Sequence, residues 1–256
     1  MNTLSIYLHR PTLLQLPLQT YLFGALLLIA TVGCHNERRP QQPLTFTEQN
    51  ALDTSYAITS HNHTTHTAED DFHQQIRAYE SKDRVFWQKP ELVISKMGEL
   101  SDKVVADIGA GSGYFARRLA MRAQRVIAID IDPRFIHFMD SLKMVEQLDR
   151  FETRLAEPMD PHLKPQEVDI VLMVNTYLYL PQRVNYLKHL KKSIKPGGRI
   201  FIIDFKKKKI PITDPPAHIR IPLYQVEQEL EQAGYRIIES DDTSLDYQYI
   251  VVAERP

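Results

Sequence analysis

The stretch Val104–Phe115 reads VVADIGAGSGYF, an apolar run that ends in three glycines at alternate positions, Gly109, Gly111 and Gly113. Such a run is a buried strand that breaks into a tight loop and then a helix. Glycine lets the backbone turn sharply there and approach a ligand closely. The next apolar run, Arg125–Asp130 (RVIAID), ends on an acid 21 residues after Gly109. A carboxylate at the end of that strand accepts hydrogen bonds from both hydroxyls of a ribose. The chemistry indicated is recognition of a nucleoside-bearing cofactor. A dinucleotide is disfavoured, because its fingerprint G-x-G-x-x-G needs a glycine where Tyr114 stands. No acid is placed for hydride transfer either.

These residues need a frame. Seven candidate strands are Val104–Ile108, Arg125–Asp130, Phe151–Leu155, Val168–Val174, Arg199–Phe205, Tyr235–Ser240 and Tyr247–Ala253. Between them, helical spacing covers Pro90–Met97, Tyr114–Arg122, Pro133–Gln147, Gln182–Ile194 and Leu223–Ala233. The central strands are nearly continuous apolar runs, as expected when helices cover both faces of a sheet. Strand–helix alternation predicts an α/β fold with a mostly parallel, doubly wound sheet. Asp132-Pro133 and Lys195-Pro196-Gly197-Gly198 read as turns. Ligands in such sheets bind beyond the carboxyl ends of the strands, where the strand order reverses.

The segment DIGAGSG, Asp107–Gly113, resembles the first motif of the class I S-adenosylmethionine (SAM)-dependent methyltransferases, D-x-G-x-G-x-G, at every fixed position. The resemblance extends over about residues 83–256. Val168–Leu180 resembles the fourth strand of that family, and KPGGRIFIIDF its fifth with the preceding turn. A bacterial group within the family shares R-x-x-W-Q-x-P, present as Arg84, Trp87, Gln88 and Pro90. It also shares an AG-[FY] turn, here Ala233-Gly234-Tyr235, and a last strand similar to Leu245–Tyr249. The resemblance implies a Rossmann-like seven-stranded sheet, mostly parallel, with an antiparallel last strand. It implies SAM as cofactor, held by Asp107, Gly109, Ala110, Gly111, Gly113, Asp130 and Ile131, with Glu157 near the adenine. It sets Asn175 and Tyr177, after the fourth strand, at the methyl-transfer zone as the candidate catalytic pair. Relatives in that group carry D-x-Y-H-H there, whereas this chain has Asn175-Thr176-Tyr177-Leu178-Tyr179.

The N-terminus is of another kind. Residues 11–34 carry no charge, and Tyr21–Gly33 is an apolar run too short for a membrane span. It ends at Gly33-Cys34, and Cys34 is the only cysteine in the chain. This resembles a bacterial lipoprotein signal over residues 1–33, after which a lipidated Cys34 anchors the chain. An uncleaved inner-membrane anchor is the alternative. Residues 34–70 are polar and without sustained period, and read as a tether. The domain follows over 71–256, with 71–100 as a helical lid segment. His61, His63, His66 and His73 have no well-placed carboxylate or thiolate partner, so no metal site is assigned. A lone cysteine also excludes a disulfide within the chain and multi-thiolate zinc.

Across 256 residues the chain is 43% hydrophobic and 25% charged, an ordinary globular balance. Its 31 basic against 32 acidic residues show no basic excess for nucleic acid. Lys206–Lys209 reads as a solvated loop or a patch for an anionic surface. The expected function is methyl transfer by a membrane-tethered enzyme of the cell envelope to a small-molecule or lipid acceptor. The missing histidines suit a nucleophile that needs no proton removed. The other reading is a lipoprotein module that binds SAM or its demethylated product, SAH, without turnover.

Overall fold

The structure, a computed structural model, describes residues 67–256. The signal-like segment 1–33, Cys34 and the tether up to residue 66 lie outside the described residues. No helix among those described is long and apolar enough to cross a membrane.

Seven strands form one sheet: β1 (Val104–Ile108), β2 (Arg125–Asp130), β3 (Phe151–Leu155), β4 (Val168–Val174), β5 (Ile194–Phe205), β6 (Arg236–Asp241) and β7 (Gln248–Glu254). Their order is β3-β2-β1-β4-β5-β7-β6, and only β7 runs against its neighbours. The helices are α1 (Ala68–Tyr79), α2 (Arg84–Trp87), α3 (Pro90–Ser95), α4 (Tyr114–Ala120), α5 (Pro133–Glu146), α6 (Arg183–Lys191) and α7 (Leu223–Gln232).

The continuous apolar runs follow from burial on both faces. Every residue of β1 is buried. Val105 joins one core layer with Ile94, Leu119 and Met139, from α3, α4 and α5. Val104, Ala106 and Ile108 join the opposite layer with Leu187, Leu190, Val226 and Leu230, from α6 and α7. The two-residue period of a strand thus feeds two cores at once. Asp107, on the first of these faces, is a buried acid inside an apolar strand.

Three sequence expectations are corrected. Among the described residues, regular structure begins at Ala68, inside the segment 34–70 read as a tether. Thr67 caps α1 in a reciprocal box, accepting from the Asp70 N–H at 3.2 Å and donating its own N–H to Asp70 at 3.0 Å. The Lys195–Gly198 turn is instead an irregularity within β5, whose pairing with β4 shifts between Val168 and Ile170. Gly198 fits there because a Cβ would stand 2.7 Å from the Asp169 carbonyl oxygen. Finally, Lys206 is not solvated. Its ammonium is buried and donates to the carbonyls of Asp242 and Leu245 at 2.6 and 2.8 Å. Lys207, Lys208 and Lys209 are exposed, as expected.

The segment from β5 to α7 is held from inside by Arg220, which is 2% exposed. Its guanidinium donates to the carbonyls of Pro215 at 2.8 Å, Ile212 at 2.6 Å and Lys208 at 3.3 Å. Backbone oxygens therefore satisfy a buried cation that has no ion-pair partner among the described residues.

Candidate functional site

The strand order reverses between β1 and β4, and there, beyond the strand ends, a cavity of about 410 Å³ opens. That volume is in the range of small-molecule sites. The glycine loop forms its floor. Gly109, Gly111 and Gly113 all have left-handed φ, of 72°, 55° and 78°. All three are also places of close approach, a Cβ on Gly113 standing 3.2 Å from the Met139 side chain. A Cβ on Gly109 would collide with the Thr176 side chain, and one on Gly111 would stand 3.0 Å from the Tyr79 ring. The Gly109 and Ala110 N–H groups both donate to the Ile129 carbonyl, at 2.8 and 3.0 Å. The loop is thereby tied to the end of β2.

Asp130 ends β2 and is fixed by the same loop. Its two carboxylate oxygens accept from the Gly111 N–H at 2.8 Å and the Asp132 N–H at 3.0 Å. Burial raises its pKa, and these N–H groups oppose the rise. Each oxygen keeps a lone pair for a further donor. Ile131, 60% exposed, follows it at the rim. An adjoining cavity of about 110 Å³ is lined by Ile108, Ile129, Ala156, Pro158 and Leu180, with the exposed Glu157 at its edge. Mostly apolar walls, with Asp130 and Glu157 as the two acids, suit a flat, largely apolar ring carrying an amino group.

The lid segment supplies a cation, Arg84, from the R-x-x-W-Q-x-P stretch. Arg84 binds Gln88, its Nε donating to Oε1 at 2.7 Å, and it also donates to the Tyr79 carbonyl. Its guanidinium lies 3.9 Å above the Tyr114 ring and faces the main cavity. No carboxylate among the described residues pairs with it. Burial draws its pKa down to about 10, so it is still cationic at neutral pH. Asp107 lines the same cavity without an ion pair. Burial pushes its carboxyl up to about 7, against the Ala116 N–H, which favours the charged form. An unpaired cation and an unpaired acid thus face one space.

The lid is pinned at several points. Glu80 accepts from Ser112 of the glycine loop at 2.5 Å and pairs with Arg117 at 2.7 Å. The Tyr79 ring stacks on Phe135 of α5 at 5.5 Å. Trp87 stacks on Phe205 at 5.8 Å and lines the cavity.

The candidate catalytic pair is split. Asn175 reaches the main cavity from a strained backbone, φ 56°. Its Oδ1 accepts from Gln248 of β7 at 2.5 Å, which leaves its amide N–H₂ as the group free to face a ligand. Tyr177 does not reach either cavity, which corrects the expectation. Its ring is fully buried on the far side of the sheet, and its hydroxyl donates to Glu229 of α7 at 2.6 Å. Glu229 in turn is held by Arg183 through two contacts of 2.7 Å. The 3₁₀ turn Tyr177–Tyr179 points alternate tyrosines opposite ways, so Tyr179, 61% exposed, is the one that lines both cavities. Tyr177→Phe should therefore cost about 1–2 kcal/mol of stability through the lost hydrogen bond. It should leave ligand affinity unchanged, as read by thermal unfolding beside calorimetric binding.

Residues 106–202 match the family described as "Methyltransferase domain". Among curated proteins, the chain is 28% identical to the tRNA U34 carboxymethyltransferase of Cellvibrio japonicus over 116 residues, which are 44% of this chain and 36% of that protein. It is 27% identical to the ubiquinone biosynthesis O-methyltransferase of Aeromonas salmonicida over 112 residues, 43% of this chain and 46% of that protein. The chain thus spans less than half the length of these relatives. Among solved structures, a SAM-dependent methyltransferase from Aquifex aeolicus superposes with a TM-score of 0.67 at 24% identity, covering 72% of this chain and 98% of that one. The [4+2]-cyclase SpnF gives 0.59 at 17% identity, covering 66% and 80%. The fold is the Rossmann-like fold of these SAM-dependent methyltransferase structures. The cyclase is a reminder that one fold hosts more than one reaction.

Proposed function

We propose that this chain is a SAM-dependent methyltransferase, tethered to a membrane, that acts on a small-molecule or lipid acceptor. The observation that carries the reading is the glycine loop with Asp130, both oxygens of which are fixed by backbone N–H groups of that loop and of Asp132. The residues present fit the cofactor. Asp130 suits the ribose, the small cavity with Ile131 and Glu157 suits the adenine, and Asp107 with Arg84 suits an α-amino acid zwitterion. Arg84 would hold the carboxylate and Asp107 would face the ammonium. Bound there, SAM supplies a sulfonium-activated methyl group.

The chain's part is positioning and exclusion of water. Tyr79 closes over Gly111, and Trp87 walls the cavity from the lid side. Asn175, oriented by Gln248, presents a donor to the acceptor. Among the described residues, those lining the main cavity include no histidine, lysine or cysteine. The acceptor that suits such a site is already anionic or soft, and needs no base. The same observation favours a second reading, a SAM-binding module without turnover. Formation of SAH from SAM, with anionic and thiol-bearing small molecules offered as acceptors, separates the two. Steady SAH release with a suitable acceptor supports transfer. Tight SAM binding with no SAH from any acceptor class supports the module.

Protonation gives a further check. Asp107 titrates near 7 in the folded chain against an ordinary 3.8. The folded state thus holds a proton that the unfolded chain has released, and this acid makes the ligand-free protein less stable as pH rises from about 4 to 7. A cation bound beside it favours the carboxylate. SAM affinity should therefore rise with pH, by up to about tenfold per unit, and level off above pH 7. Asp107→Asn should flatten the profile. A wild-type profile already flat from pH 5.5 to 7.5 would remove Asp107 from the ligand site.

The tether rests on the apolar run ending at Gly33-Cys34. Cells fed an alkyne-bearing fatty acid should label the wild-type chain and leave Cys34→Ser unlabelled. Equal label in both would refute lipidation at Cys34.

A further inference from the structure

Two consecutive residues of the lid meet two consecutive residues of the glycine loop. The Tyr79 ring lies 3.0 Å from where a Cβ on Gly111 would stand. The next lid residue, Glu80, accepts from the hydroxyl of the next loop residue, Ser112, at 2.5 Å. Ser112 is buried, and Glu80 caps the end of α1, its N–H given to the Ile76 carbonyl at 2.9 Å. Both carboxylate oxygens of Glu80 are engaged. Oε1 takes the Ser112 hydroxyl, and Oε2 takes Arg117 Nη2 of α4 at 2.7 Å. Arg117 donates in turn to Glu146 of α5 at 2.5 Å. One chain of polar contacts thus joins the lid, the glycine loop, α4 and α5. The Arg84 guanidinium hangs from the same point, because it donates to the carbonyl of Tyr79, the residue before Glu80. Arg84 and Tyr79 line the main cavity, whereas Glu80 lines neither cavity.

We infer that Glu80 is a positioning residue for the amino-acid end of the cofactor. By fastening the lid to Ser112 and Arg117 it sets the Tyr79 carbonyl, and through it the Arg84 guanidinium, against the glycine loop. The inference rests on the reading of the cavity as a SAM site with Arg84 on the carboxylate. A guanidinium already held in place binds a carboxylate without first being ordered, and that ordering cost otherwise comes out of the affinity. The ribose acid has its own support, since Asp130 is held by the Gly111 and Asp132 N–H groups. Loss of Glu80 should therefore fall on ligands that carry the α-amino acid and spare those that lack it. Ser112, the variable position between Gly111 and Gly113, gains a role as the loop's side of this contact.

Calorimetric titration of SAM and of 5′-methylthioadenosine, which lacks the amino acid, into the full-length chain tests this, with thermal unfolding measured alongside. Glu80→Ala should weaken SAM by about tenfold, the weight of one charge-assisted hydrogen bond, and leave the analogue within about twofold of wild type. Ser112→Ala, a milder change, should show a smaller loss with the same selectivity. Glu80→Gln, whose amide oxygen still accepts from Ser112, should keep more SAM affinity than Glu80→Ala. In an Arg84→Gln background Glu80→Ala should cost SAM almost nothing more, because it acts through Arg84. A general loosening of the fold would instead weaken both ligands alike and add fully to Arg84→Gln. Either of those results, with wild-type SAM binding intact, would overturn the inference and leave the cofactor reading standing. A folded wild-type chain that binds no SAM would overturn both.

Discussion

Asp130→Ala should lower SAM affinity by more than about 100-fold. The carboxylate offers two charge-assisted hydrogen bonds to a ribose, each worth about 1.5–3 kcal/mol, and the sum corresponds to at least two decades in Kd. The loss has a second source in this chain. Asp130 also holds the Gly111 and Asp132 N–H groups, so its removal loosens the loop that forms the cavity floor. Asp130→Asn separates the two. One amide oxygen still accepts from the backbone, while the carboxylate's charge is gone, so affinity should fall with less effect on thermal unfolding. Calorimetric titration measures both variants. Wild-type-like affinity in Asp130→Ala would mean that the ribose is bound elsewhere.

Gly109→Ala should be strongly destabilising, on two separate counts. Its φ of 72° costs a non-glycine residue about 1–2 kcal/mol. The added Cβ would also overlap the Thr176 side chain, and overpacking costs about 1–3 kcal/mol more. Gly98→Ala is the control, because Gly98 has a similar φ of 77° but nothing within 4 Å of the added carbon. The difference in unfolding free energy between the two variants isolates the close approach of β1 and β4. Thr176→Ala should restore part of the loss in the double variant, since it removes the two atoms nearest the new methyl. Equal destabilisation by Gly98→Ala and Gly109→Ala would show that the backbone angle alone matters.

The frame was legible because its signals are local. All seven strands stand within a residue or two of their expected limits, apart from the early start of β5, because continuous apolar runs bounded by Gly, Pro and Asp mark buried strands directly. The start of β5 was hidden because Pro-Gly-Gly is turn chemistry, and only the sheet pairing absorbs it as an irregularity. The glycine loop and Asp130 were legible for the same local reason. Arg84 stands in a motif that the sequence displays, but its unpaired charge is visible only once Tyr114, Gln88 and the Tyr79 carbonyl surround it. Tyr177 was misjudged because a single 3₁₀ turn decides which tyrosine faces the cavity, and its partner Glu229 lies 52 residues away. Gln248 acts through a contact of the same long-range kind, with Asn175 73 residues away, which spacing in the chain does not encode.

The measurement closest to the central claim is calorimetric titration of SAM, SAH and 5′-methylthioadenosine into the full-length chain. The account predicts one saturable site per chain for SAM and SAH, weaker binding of the analogue that lacks the amino acid, and loss of SAM binding in Asp130→Ala. Arg84→Gln should narrow the gap between SAM and the analogue, since Arg84 is assigned to the carboxylate. A folded chain that binds neither SAM nor SAH would contradict the account and leave a methyltransferase fold whose role lies in its surface.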